Sequence, residues 1–403
     1  MFSSMSPLFA DPGGGQASAA GPIPLSNDFG TQFGLLPREK IALMIRREMI
    51  QAETVIETGQ LQPASLDLRL GPRAYRIRAS FLPGRNETVE NRLRALQSDD
   101  EAISLEGTGA VLERGCVYII PLIEYLNLPK DIAGIANPKS SIGRLDVFTR
   151  LSTDHCDVFD RVARGYAGRL YAEVSPRTFS VRVRKGSKLN QIRFRRLNSQ
   201  ELGRSEFPVG EVELRERHKA IPLVDGDLDL RHGGLVLRIG LDEEDNAGAI
   251  GYRAQKHADI LDIDKSASYR AADFWEPVRA RPDKRLILDP DGFYILASRE
   301  RLRIPPDLAA EMVPIDPIMG EFRVHYAGFF DPGFGAGAGN LPCARAVLEV
   351  RSYEVPFFLE NEQIIGRLIY EKMTEAPQFL YGSDKTSNYQ GQGLKLSKHF
   401  LLD

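Results

Sequence analysis

Four stretches of the chain gather residue types that could do chemistry. The first is "NPKSSIGRLD" (Asn137 to Asp146), which carries Lys139, Ser140, Ser141 and Arg144. Its two hydroxyls can donate and accept, and the cations beside them could hold a phosphate chain or a polar base edge. Asn-Pro followed by two serines also makes an ordinary turn with a solvated arginine. The second is a pair of glutamates inside apolar β runs, Glu173 in "LYAEV" and Glu349 in "AVLEV". Such a carboxylate lies either on a wet strand face or, desolvated, beside a ligand; there a raised pKa suits it to general acid–base work. The third, "GFFDPGFGAGAGN" (Gly328 to Asn340), carries Asp331 and Phe334 in a glycine-rich turn. Its glycines would let backbone approach a ligand, but it lacks the phosphate-loop pattern and serves equally as a hairpin. The fourth is the polar tail "YGSDKTSNYQGQGLKLSKHF" (Tyr381 to Phe400), which could close over a ligand or simply fray. No His, Cys, Asp or Glu group has metal-ligand spacing, and the H-x-E with P-C-x-x-C signature of zinc nucleoside deaminases is missing, so no metal ligands are expected from side chains.

These stretches sit in a chain written twice. "YIIPLIEYLNLPKDIAGI" from Tyr118 recurs as "YILASRERLRIPPDLAAEM" from Tyr294, an offset of 176 residues. The same register pairs Glu173 with Glu349, and "LNQIRF" from Leu189 with "IGRLIY" from Ile365. "SLDLRLGPRAYRI" from Ser65 matches "DLDLRHGGLVLRI" from Asp227 at a different offset. Short β-branched and aromatic runs between Gly, Pro and Asp turns predict a mainly β chain. A helix is predicted over "PREKIALMIRREMIQ" (Pro37 to Gln51), with Ile41, Met44, Ile45 and Met49 at helical spacing. The expected organisation is a disordered lead-in over 1–35, a first domain over 36–215 and a second over 216–403, each jelly-roll-like or barrel-like with a few short helices. The mixed-charge segment 242–280 is expected to be an excursion of the second domain.

Composition excludes little but directs the search. A length of 403 residues with 42% hydrophobic and 27% charged is that of an ordinary globular protein of two domains. The net charge of -3 offers no bulk attraction to nucleic acid or anionic membrane, so neither is an expected partner, and any anion must meet a local cluster. Three dispersed cysteines (Cys116, Cys156 and Cys343) argue against a disulfide framework or a cysteine zinc site and for a reducing cytoplasm. No signal-peptide pattern or bilayer-length apolar run is present.

"PASLDLRLG", "KSSIGRL", "FDPGF", "AVLEV" and "NYQGQ" fall in the order expected of dCTP deaminases, relatives of the trimeric dUTP pyrophosphatases. The chain resembles a long, internally duplicated form of that family. The resemblance implies a dUTPase-like β-clip or distorted β-barrel for each domain. The implied reaction is hydrolysis of dCTP to dUTP and ammonia in pyrimidine deoxyribonucleotide synthesis, with Mg²⁺ accompanying the triphosphate and no zinc. It implies a trimer-like homo-oligomer, or a pseudo-oligomer within the chain, and raises dTTP as an inhibitor. It further implies a glutamate as general base, Ser140 orienting water or amine, Arg144 stabilising developing charge, and Lys139 and Ser141 near the phosphates. Asp331 and Phe334 would contact the deoxyribose, and Tyr381 and Gln392 would cover the nucleotide.

The two halves depart from the pattern in complementary ways. The first has Lys-Ser-Ser-x-x-Arg and Glu173, but His155 where the second has Asp331, and no tail of its own. The second has Asp331, Glu349 and the tail, but Asp316, Pro317 and Gly320 in "VPIDPIMGEF" at the serine and arginine register. The favoured expectation is one composite site, with Ser140, Ser141 and Arg144 facing Glu349, Asp331 and the tail. The rival pairs first domains with each other and makes Glu173 the base. Asn388 stands where the family tail often has lysine, which puts one phosphate contact in doubt. dUTP pyrophosphatase, a bifunctional deaminase, and a nucleotide-binding regulatory protein with a decayed site are the alternative functions.

Overall fold

A computed structural model describes residues 29, 32–97, 102–198, 208–242, 248–314, 322–324, 328–352, 354–383 and 387–401. The chain is mainly β. In the first half, one sheet runs Gly34–Leu35, Lys188–Arg196, Ile132–Pro138, Arg161–Val162, with Leu66–Arg69 also on the second of these. The other centres on Val117–Asn127, flanked by Arg73–Ile77 and Ala167–Pro176, with Val147–Thr153 beyond. The second half repeats the plan. Ile364–Lys372 pairs with Leu308–Pro314, and Phe293–Leu302 pairs with Ala344–Ser352. Lys188–Arg196 and Ile364–Lys372, like Ile132–Pro138 and Leu308–Pro314, share bounds shifted by the 176 residues read from the sequence. The central strands are buried almost throughout, which is why they read as continuous apolar runs rather than alternating ones.

Where the halves meet, charged residues are buried. In Lys188–Arg196, Ile192 and Phe194 point into the first core, so pleating sends Arg193 and Arg195 to the opposite face. The second half covers that face. Arg195 Nε donates to Glu371 at 2.8 Å, and Arg193 donates to the carbonyls of Ala310 and Phe330, each at 3.0 Å. Arg351 Nε likewise donates to Asp146 at 3.1 Å. A strand of alternating apolar and basic residues reads as half-solvated; tertiary contact makes it an interface.

Three boundaries differ from the sequence expectation. The lead-in does not run through residue 35: Phe29 is buried in the first core, and Gly34–Leu35 pairs with Arg195 and Arg196. Residues 1–28, 30 and 31 lie outside the described residues. The helix is shorter than predicted, Arg38–Arg46, because Glu48 turns to a positive φ and Ile50–Ala52 joins the edge of Val117–Asn127. The 215/216 boundary splits a helix, Glu211–Ala220, whose only buried residue, Leu214, belongs to the second core. One apolar anchor in ten residues leaves no periodicity to read.

The segment expected as an excursion of the second domain, described at residue 242 and over 248–280, belongs to that domain's sheet through Gly251–Ala254, which pairs with Trp275–Val278 and Phe293–Leu302, but is also stitched to the first half. Leu261–Asp262 pairs in parallel with Val181–Val183, and Phe274, Trp275 and Phe400 join the first core. Trp275 meets Phe179, Phe293 and Phe400 at ring distances of 5.5, 5.9 and 6.0 Å. Trp275→Ala is expected to cost roughly 3–5 kcal/mol. Because those rings come from both halves, a calorimetric scan should register one lowered transition for the whole chain.

Candidate active site

The Ile132–Pro138 strand ends at a proline, and Lys139 leads into a single helical turn, Ser140–Gly143. Lys139 N donates to Leu189 O at 2.8 Å and fixes the turn against the neighbouring strand. Arg144 follows the turn, only 3% exposed. Its guanidinium donates to Gln392 Oε1 at 3.0 Å and to Lys395 O at 2.9 Å, and lies 3.9 Å above the Tyr389 ring. The arginine of the first half is thus held by the tail of the second. Arg144 Nε makes no hydrogen bond and sits 3.9 Å from Glu349 Oε1.

Glu349 lies mid-strand in Ala344–Ser352, opposite Ile295, and is 5% exposed. Burial pushes its carboxyl up to about 7, against the opposing pull of Arg144. The Asp331 turn is held by Arg193, which donates to Asp331 Oδ1 at 2.8 Å. Gly333 in that turn has a φ of +92°, and a Cβ there would come within 2.9 Å of Leu380 Cβ. The tail therefore presses directly on the turn: Tyr381 N donates to Pro332 O at 2.8 Å, and the Tyr381 ring lies 5.6 Å from that of Phe334. Tyr381 Oη accepts from Tyr389 N at 3.0 Å, and burial raises its pKa.

These elements line one cavity. Lys139, Ser140, Ser141, Arg144, Asp331, Phe334, Glu349, Tyr381 and Gln392 all border it. Glu173 does not. It is buried in an ion pair with Arg150, whose Nε donates at 3.2 Å, on the Ala167–Pro176 strand. Gln392 is anchored more fully than a substrate contact requires: its Oε1 accepts from Arg144 and its Nε2 donates to Arg345 O at 3.0 Å. Residues 315–320, which include Asp316, Pro317 and Gly320, lie outside the described residues.

Sequence reading missed Arg193, Tyr389 and Lys398 of the site. Arg193 was disguised by its basic strand. Tyr389 lies inside the "NYQGQ" stretch, so proximity to Gln392 could have nominated it. Lys398 carried no motif. The cavity pairs a buried carboxyl of raised pKa with an arginine whose Nε–H is unpaired, and adds hydroxyls, a carboxylate and aromatic walls. That combination can bind a polar heterocycle and move a proton at it.

Comparison with known proteins agrees with this chemistry. Residues 32–198 match the family model for the 2'-deoxycytidine 5'-triphosphate deaminase N-terminal domain, and residues 210–400 that for its C-terminal domain. A dUMP-forming dCTP deaminase of Pseudarthrobacter chlorophenolicus is 30% identical over 184 residues, 43% of this chain and 86% of the relative. A dCTP deaminase of Natronomonas pharaonis is 29% identical over 161 residues, 38% and 78% respectively. The crystal structure of 2'-deoxycytidine 5'-triphosphate deaminase from Agrobacterium tumefaciens aligns with a TM-score of 0.79 at 49% identity, covering 85% of this chain and 100% of that one. With both halves and their connecting order accounted for, the chain belongs to the dCTP deaminase family, and hydrolytic deamination of dCTP is its activity.

Proposed function

We propose that each chain deaminates dCTP at one composite site, with Glu349 of the second half as the base and Ser140, Ser141 and Arg144 of the first completing it. The observation that carries this reading is the approach of Arg144 to Glu349 inside a cavity bordered by both halves' motifs. Water is a poor nucleophile, so the Glu349 carboxylate takes its proton as the oxygen bonds to C4 of cytosine. That proton passes to N3, giving a tetrahedral carbon. A second proton, from the new hydroxyl, goes by way of the same carboxyl to the amine. The C4–N bond breaks, ammonia leaves, and the carbonyl of dUTP forms. The unpaired Arg144 Nε–H is available to stabilise negative charge developing in the base and its attacking oxygen. Ser140 orients the water or the amine. Asp331 and the Phe334 ring pack on deoxyribose, and Mg²⁺ enters with the triphosphate as part of the substrate.

Complementary losses in the two halves support a pseudo-oligomer within the chain, two dUTPase-like β-clip units arising by duplication. The cytoplasm is the compartment this reading implies. No described helix is long and apolar enough to cross a membrane.

A second reading has the chain continue to dUMP, a possibility raised by relatives whose names carry "dUMP-forming". Incubation with dCTP and Mg²⁺ separates the two: ammonia with dUTP supports simple deamination, ammonia with dUMP and pyrophosphate the longer reaction, and no ammonia sinks both.

The base also sets a pH dependence. Glu349 must be ionised to accept a proton, and its carboxyl titrates at about 7. A plot of kcat/KM against pH should therefore rise through about 7 and flatten above it. A rise centred near pH 4–5, the ordinary range for glutamate, would exclude this carboxyl.

A further inference from the structure

The reaction cavity opens beside a second one, and five residues border both: Gln62, Lys139, Ser141, Asn388 and Lys398. The second cavity contains no catalytic pair. It is bordered by Arg69 and four lysines, Lys139, Lys185, Lys188 and Lys398, against the three carboxylates of Glu57, Asp67 and Asp264. Three of these four lysines have partners: Lys139 pairs with Asp67, Lys185 with Glu106 at 3.1 Å, and Lys188 with Glu57 at 3.7 Å. Lys398 has no ion pair among the described residues. Its ammonium is pressed by burial and by the charges of Lys139 and Lys188, with Asp67 and Asp264 opposing them, and its pKa is lowered. A half-buried cation among like charges is a place where an anion relieves repulsion.

The backbone of Lys398 is fixed on both sides by hydrogen bonds. Ser397 Oγ donates to Ser141 O at 2.7 Å, in the serine turn itself. His399 is fully buried, with Nδ1 2.7 Å from Ser397 Oγ and Nε2 2.8 Å from Ile263 O. Lys398 N donates to Tyr389 Oη at 3.3 Å, and Lys398 O accepts from Ala267 N at 2.9 Å. Ile263 and Ala267 belong to the inserted segment stitched onto the first half. The insert therefore acts as an anchor for the tail beyond Gln392. That anchoring both steadies the serine turn and fixes a cation over the second cavity.

We propose that Lys398, held by the 261–268 segment, binds the distal phosphates of dCTP and selects the triphosphate. This rests on the composite site, since the base and sugar must occupy the first cavity for the phosphates to extend into the second. A charge-assisted contact to a phosphate is made in ground state and transition state alike, so its loss raises KM and spares kcat.

The test uses the full chain, with Lys398→Met and Lys398→Arg, in dCTP saturation kinetics and in inhibition by inorganic triphosphate, which has no base. Lys398→Met is expected to raise KM for dCTP about tenfold to a hundredfold with kcat within about twofold. The inhibition constant for inorganic triphosphate should rise in parallel, and Lys398→Arg should bring both back to within a few-fold of wild type. An unchanged KM overturns the proposal. So does a fall in kcat without a change in inhibition, which marks a merely structural role through Ser141, and so does failure of inorganic triphosphate to inhibit wild type. If Glu173→Gln rather than Glu349→Gln abolishes turnover, the composite reading fails while the inorganic-triphosphate result still reports on Lys398.

Discussion

Glu349→Gln should lower kcat by about 10²- to 10⁴-fold, the range for removing a general base. Glutamine keeps the shape and burial of the side chain but cannot accept the proton of water. KM should change little, because the carboxyl acts on the reacting atoms and not on the triphosphate. Ammonia release at saturating dCTP measures this directly. Glu173→Gln is the control, and its expected result is different in kind. Glu173 is buried against Arg150, so the change leaves a charge without its partner and should lower the melting temperature. Per folded molecule, kcat should stay within a few-fold of wild type. Activity that survives Glu349→Gln but is lost in Glu173→Gln would reverse the assignment and favour pairing of first halves between chains.

Arg144→Met is expected to lower kcat by about 10²- to 10³-fold, as for loss of one preorganised donor at developing charge. Arg144→Lys should recover little of it. The native guanidinium donates to Gln392 and Lys395 at once while lying flat on Tyr389, and an ammonium has neither the fork nor the plane. Both variants should also loosen the tail. Limited proteolysis within residues 381–396 should proceed faster than in wild type, whereas in Glu349→Gln the tail should remain as protected as before. Equal protection in all three variants would mean that Arg144 does not hold the tail.

Much of the architecture could be read in advance. The 176-residue register between the halves, the β character of the apolar runs and the order of the motifs are local or periodic properties of the chain. The nine cavity residues nominated from their motifs were legible for the same reason. What misled was context. Arg193 and Arg195 are buried between the halves, a placement that no local stretch of the chain announces. The charged run before Trp275 looked like an excursion, yet supplies a strand to the first half and an anchor to the tail. Its polarity is that of an edge, and an edge does not announce which sheet it will join.

By itself the sequence determined the chemistry available to this protein: two serines, an arginine, two strand glutamates and an aspartate turn, divided unequally between its two halves. It left both glutamates eligible, because each sits in an apolar strand with the same pattern. The complementary motif losses favoured Glu349, and the tertiary structure gives the two carboxyls different surroundings. Arg150, a cross-strand neighbour, engages the carboxyl of Glu173, whereas packing of the second half on the first brings Glu349 to the unpaired Nε–H of Arg144. That difference arises from residues far apart in the chain, and desolvation, which raises the Glu349 pKa, is a property of the closed cavity and not of any stretch of residues.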